Sequence, residues 1–272
     1  MQRYFRRHLA LPSDHGSWVF LISPLLIGIF AAERWSIASL YLVLAALMGF
    51  LVRHPLTYVI KAKSGRRSKR DLPAAYFWGS VYTLAGVVHV LGLVLRGFAF
   101  VLILAIPGLL VFGWYLYMVS QRSERRQMGI DIVASGTLAL AAPAAYWIGL
   151  GVLETSGWLL WVLSWLQSAA SIVYAFLRLE QRGWSGTLAI SEKLQRSRRA
   201  LAYCSFNLAL TLGASLLGWL PIFLWIPYLL QWMETLWGVI RPAIGWKPTR
   251  VGMRQLVVST LFTILFILLW GL

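Results

Sequence analysis

The side chains able to do chemistry in this 272-residue chain are few: nine acids and four histidines stand against 25 lysines and arginines. The informative ones lie beside long apolar runs. Asp14 and His15 precede WVFLISPLLIGIF, and Arg53 with His54 follows LYLVLAALMGFLV. Asp131 opens DIVASGTLAL, Arg178, Glu180 and Arg182 close VYAFLRLEQR, and Glu234 lies in LLQWMETLW. Ionisable groups at membrane depth are costly without partners, so each marks either a site or an interhelical pair. Guanidinium forks match phosphate oxygens, and a histidine changes charge near neutral pH. The chemistry this suggests is recognition of an anion. The candidate ligand-binding residues are His15, Trp18, Arg53, Asp131, Tyr174, Arg178, Glu180 and Arg182. Helical spacing puts His15 and Trp18 on one face, Tyr174, Arg178 and Gln181 on another, and Asp131 with Ser135 on a third. Glu234 shares a face with Gln231.

Each feature also has a plain structural reading. Ser13 or Asp14 serves as the N-cap of the first helix, or Asp14 and His15 edge a site. Asp131 complements a positive helix end, or it faces a ligand. Glu180 makes a solvated ion pair between Arg178 and Arg182, and Glu234 pairs with a neighbouring helix. His89 and Asn207 read as interhelical hydrogen-bonders, and Trp158, Trp161 and Trp165 as packing or interfacial belt. No GxxxxGK[ST], GxGxxG, HExxH or GxSxG pattern occurs, and His8, His15, His54 and His89 have no metal-ligand spacing. No metal or cofactor is expected.

The elements that must position these groups are membrane helices. Of the residues, 59% are apolar and only 12% charged, and mean hydropathy is +0.71. A soluble domain of this length could not hide so much apolar surface. Spans of roughly 20 apolar residues are expected at 16–33, 36–52, 73–95, 98–118, 129–150, 157–177, 200–217, 219–240 and 252–272. Gly218, Pro221 and Pro227 make the boundaries within 200–240 the least determined. With nine spans, every lysine and arginine except Arg34 and Arg96 falls on the side of the N-terminus. The positive-inside bias then puts the N-terminus in the cytoplasm and the C-terminus outside, in the plasma membrane. The net charge of +16 is thereby assigned to topology and anionic headgroups, not to nucleic acid. The first apolar run is too long for a signal peptide and is read as retained. The single cysteine, Cys204, rules out an internal disulfide. The expectation is one integral membrane domain over 1–272: an all-α polytopic bundle.

The stretches DHGSWVFLISPLLIGI, RHPLTYVIK, DIVASGTLALAAP and VYAFLRLEQR resemble those of YwiC-like membrane proteins. The arrangement of nine helices, with long basic connections after the second, fourth and sixth, is similar to that of UbiA-type prenyltransferases. That resemblance implies aspartate-rich motifs after helices two and six, holding magnesium and an isoprenoid diphosphate. Here the corresponding stretches, RHPLTYVIKAKSGRRSKRD and RLEQRGWSG, carry one acid each, Asp71 and Glu180, among many cations. Magnesium prefers clustered oxygen ligands, so it is expected only if prenyl transfer survives. Three functions follow. The first is binding of an isoprenoid or other anionic lipid in a cytoplasm-facing cavity. The second is an altered prenyltransferase, and the third a transporter or an accessory subunit with partner subunits in the membrane.

Overall fold

The computed structural model describes residues 6–11, 17–123, 127–184 and 188–272. All regular structure among them is helical. After a single turn, Arg7–Ala10, come nine rods: α1 (Val19–Ala31), α2 (Ile37–Lys63), α3 (Leu72–Leu95), α4 (Ala105–Ser120, preceded by a 3₁₀ stretch Ala99–Leu104) and α5 (halves Met128–Ala139 and Ala141–Leu150). The rest are α6 (Thr155–Gln181), α7 (Ile190–Leu216), α8 (Ile226–Ile240) and α9 (Pro248–Trp270). Six segments are long and apolar enough to cross a bilayer: Ile37–Lys63, Lys69–Leu95, Ala99–Ser120, Met128–Leu150, Thr155–Gln181 and Pro248–Trp270. Val19–Ala31 is a shorter apolar helix. The chain is a multi-pass membrane protein.

Nine rods lie where nine spans are expected, although Ile190–Leu216 and Ile226–Ile240 are not among the segments long and apolar enough to cross, and several ends move for identifiable reasons. α2 does not stop at residue 52; it runs on through Pro55 to Lys63. Proline removes one helical donor, yet Pro55, Val59 and Ala62 are all buried, α3 is the main partner of α2, and Lys61 and Lys63 favour a helix C-terminus. α5 breaks at Leu140, because Pro143 has no N–H for the Ala139 carbonyl. α7 begins at Ile190 rather than 200, as a charged helix extending beyond the apolar part. α8 begins at Ile226 rather than 219. Gly218, with φ +73°, and Pro221 keep the preceding stretch out of a helix, and Pro227 sits in the first turn, where its missing donor costs nothing.

α6 is the central rod, packed against α1, α5, α7, α8 and α9. Small residues let the backbones close in, as membrane interfaces require. A Cβ on Gly28 would stand 2.1 Å from the Ala142 carbonyl oxygen. Between α5 and α6 the tryptophans form a packed ladder: Trp161 Nε1 donates to the Gly136 carbonyl at 2.8 Å and Trp165 Nε1 to that of Ile132 at 2.9 Å. Trp161 and Trp165 are therefore packing residues with paired indole N–H groups, and Trp158 packs edge-on against the rings of Trp147 and Trp161.

Successive rods alternate in direction. Arg122 donates to the Ser64 carbonyl at 3.4 Å, joining the ends of α2 and α4, and Arg182 donates to that of Trp246 at 2.6 Å, joining α6 to the α8–α9 connection. This end of the bundle is the basic face. At the opposite face Glu33 lies beside Gly271. There Glu154, just before α6, accepts from Tyr146 (2.6 Å) and Ser156 (2.7 Å), while its carbonyl accepts from Trp147 Nε1 (2.7 Å).

Two outcomes are expected. Gly28→Ala forces α1 from α5 at a contact made by backbone, so it should lower stability by about 1–3 kcal/mol, read as a lower Tm in detergent. The Tyr146 hydroxyl, then that of Ser156, hold the Glu154 carboxyl below its ordinary range. A depressed folded-state pKa contributes stability above the unfolded value that is lost as pH falls through the folded one. The acid-side decline in Tm should therefore be shallower in Glu154→Gln than in the wild type.

Candidate functional site

Three clusters of polar and aromatic side chains occupy the basic-face half of the bundle. In the first, α1, α2, α4 and α5 converge. The Trp18 ring lies 5.0 Å from that of Phe50, and the Arg53 guanidinium lies 5.3 Å from the centre of Phe50 and 5.7 Å from that of Tyr115. Its charge also reaches Asp131 on α5, beyond ion-pair distance. Ser135, one turn on from Asp131, turns inward and donates to the Ile132 carbonyl at 2.8 Å. Arg53 is thus held by ring faces, with no hydrogen bond or ion pair to another described residue.

The second cluster joins α6, α8 and α9. Tyr174, Arg178 and Gln181, on one face of α6, all converge on Gly238. The Tyr174 hydroxyl lies over that residue, where a Cβ would come within 2.3 Å of it. Arg178 is 1% exposed. Its Nη1 donates to Gln181 Oε1 (2.7 Å) and to the carbonyls of Gly238 (2.9 Å) and Arg241 (2.8 Å). Gln181 Nε2 also donates to Gly238 (3.0 Å), and the Ala243 N–H donates to Gln181 Oε1 (3.2 Å). The last carbonyls of α8, which no helical donor reaches, are therefore capped from α6. The Trp246 and Trp237 rings flank the guanidinium at 4.8 and 5.4 Å. Two turns deeper, Glu234 takes a two-pronged bond from Arg254 (2.5 and 2.7 Å) and a hydroxyl bond from Tyr174 (2.8 Å). The Arg254 guanidinium stacks 3.6 Å from the centre of Trp237.

The third cluster is an open bowl of about 510 Å³ between the end of α6 and the start of α7, lined by Glu180, Glu192, Gln195, Arg196, Arg198 and Arg199. Arg196 bonds Glu192 at 2.6 Å and lies over Trp184. Glu180 is exposed, on the opposite side of the helix from buried Arg178. It does not pair with Arg178 or Arg182, whose bonds go to backbone and amide oxygens.

Trp18, Arg53 and Asp131 therefore come together, Tyr174 and Arg178 form a separate structural clamp with Arg182 beside it, and Glu180 belongs to the bowl. His15, with Asp14 and Ser13, lies outside the described residues. Asn207 bonds across helices to the Leu166 carbonyl at 2.8 Å, whereas His89 bonds its own helix at Ala85, 2.6 Å away. Sequence reasoning passed over Gln167, Ser171, Gln255 and Arg254. The signal was present: Gln167, Ser171, Tyr174, Arg178 and Gln181 make a polar stripe at spacings of three and four.

The acids do not suit a magnesium–diphosphate site. Asp71 is engaged by Arg6 and by the Tyr58 hydroxyl (3.2 Å). Among the described residues no group of three acidic, histidine or cysteine side chains could hold a metal ion.

These features define a polytopic helical membrane protein. The solved structure of a digeranylgeranylglyceryl phosphate synthase is similar over 98% of this chain and 97% of that one, with a TM-score of 0.56 and 12% identity. At that identity the likeness is one of fold. The chain belongs to the YwiC-like protein family, whose model matches residues 11–146. None of the curated proteins matches the sequence.

Replacing Arg178 with leucine orphans the Arg241 carbonyl, at roughly 1–3 kcal/mol for a buried acceptor, and takes one of two donors from the Gly238 carbonyl and from Gln181 Oε1. A large loss of thermal stability is expected, with α8 loosened first, read by faster amide exchange near Gly238.

Proposed function

We propose that this protein binds a phosphate-bearing lipid, an isoprenoid phosphate or an anionic glycerolipid, at a cytoplasmic basic face in the plasma membrane. The observation that carries the reading is the bowl between α6 and α7. It is rimmed by Arg196, Arg198 and Arg199, and neither Arg198 nor Arg199 makes a hydrogen bond or ion pair among the described residues. Arginine forks suit phosphate oxygens, and the bowl lies where a lipid headgroup meets the basic end of the helices. The aromatic-held Arg53, with Trp18 and Asp131, is the second contact region of the same face, and His15 is proposed as a further donor there. Arg178 and Arg182 shape the face by fixing α8 and its connection to α6. The cytoplasmic assignment follows the concentration of cations on this face.

The full-length likeness in fold favours a second reading, an altered prenyltransferase. The acids that chemistry would need for magnesium are not grouped among the described residues, so guanidinium groups rather than a metal are the proposed source of positive charge. The transporter reading requires polar groups at a helix break. The break in α5 falls among Leu138, Ala139, Leu140, Ala141 and Ala142 instead.

Native mass spectrometry of the protein with anionic lipid tests the proposal. Each surface cation contributes on the order of 1 kcal/mol, so Arg198→Gln with Arg199→Gln should weaken retention roughly 30-fold. Chelation with EDTA should leave it unchanged. Retention indifferent to both arginines contradicts the bowl, and retention abolished by EDTA favours the metal-dependent alternative.

A further inference from the structure

Beneath the Glu234–Arg254 pair, α6, α8 and α9 enclose a small polar void of about 10 Å³, walled by Gln167, Ser171, Gln231, Gln255 and Ser259 with Phe262 below. Most of the hydrogen-bonding capacity around it is used. Gln231 Nε2 donates to the Gln167 carbonyl at 3.1 Å. Gln255 Nε2 donates to the Ser171 carbonyl at 2.7 Å and to its hydroxyl. Gln167 Nε2 reaches the Ser259 hydroxyl at 3.5 Å. Two acceptors remain unpaired: Gln231 Oε1 and Gln255 Oε1, both buried without a donor. Gln231 is only 5% exposed. Turning either amide over would exchange a free oxygen for a free NH₂ and break an interhelical bond, so the deficit is built into the arrangement.

Inside a bilayer such acceptors are served by protein or by a bound guest. The void sets the size of the guest, since about 10–15 Å³ is the least that holds one water. Charge sets its kind. Glu234 is neutralised by Arg254, and Arg178 lies on the same side, so the surroundings carry no negative excess to hold a cation. What the two oxygens lack is protons. We infer that the void is a binding site for a single water molecule, which donates one hydrogen to Gln231 and one to Gln255. The Ser259 hydroxyl, which accepts from Gln167 and donates to no described residue, supplies the third bond. Three bonds are typical of a buried water. The guest then links α8 to α9 beneath the Glu234–Arg254 pair, while Gln167 and Ser171 tie the same side chains to α6, and it is a component of the clamp, separate from the lipid-binding bowl.

The test uses the full chain in lipid nanodiscs. A map fine enough to show ordered water should carry a peak within hydrogen-bonding distance of both Gln231 and Gln255. The melting temperatures of Gln231→Leu, Gln255→Leu and the double variant should show coupling, with the double variant losing less than the two single losses added together. The wild-type melting temperature should be the same in sodium, ammonium and choline chlorides at equal ionic strength. A dry void in the map, additive losses, or a rise specific to sodium or ammonium would each overturn the assignment. The map and the salt comparison need no variant to fold.

Discussion

A bilayer offers no hydrogen bonds to a polar group inside it, and this constraint arranges the C-terminal half of the molecule. Gln167, Ser171, Tyr174, Arg178 and Gln181 occupy one stripe of α6, and α8 and α9 are laid against it so that most of the polar atoms find a partner. The clamp on Gly238 and Arg241 closes the end of α8, and Glu234 with Arg254 closes the seam above the deeper glutamines. Buried charge of this kind is a poor source of net stability. Its consequence is registry: a one-residue slip of α8 would carry Gly238 from beneath Tyr174 and put a bulky side chain there.

The N-terminal half follows a different rule. α2, α3 and α4 present broad apolar surfaces with few internal polar contacts, as rods facing lipid do. Their ends are tied by arginines to backbone carbonyls, Arg66 to Val119 and Arg122 to Ser64. Arg53 stands apart from this pattern. It is stacked on the rings of Phe50 and Tyr115 and pairs with no carboxylate among the described residues. A charge held by aromatic faces with no ion pair among the described residues suits recognition more than packing, whereas Arg178, whose Nη1 bonds three oxygens, suits packing more than recognition.

Composition and spacing made the rods legible, and with them the fold class. The helix-six face was legible too, because Tyr174, Arg178 and Gln181 fall at helical intervals. Three matters were not. The run of α2 past Pro55 depends on burial against α3, which no local pattern carries. The break in α5 at Leu140 required weighing Pro143 against an otherwise continuous apolar run. The pairing of Glu234 with Arg254 joins two helices whose rotation about their axes the sequence leaves open. Arg178 also changed its meaning: a basic residue at the end of a span reads as a headgroup contact, but tertiary packing turned it inward, onto the C-terminus of α8.

Everything assigned to the basic face rests on an odd number of crossings that gathers the cations on one side. Cysteine labelling from each side of sealed vesicles addresses this directly, with buried Cys204 replaced by serine. Ser68→Cys and Ser123→Cys should react only from the cytoplasmic side, and Ser156→Cys only from the other. Labelling of Ser68→Cys and Ser156→Cys from the same side would contradict the account.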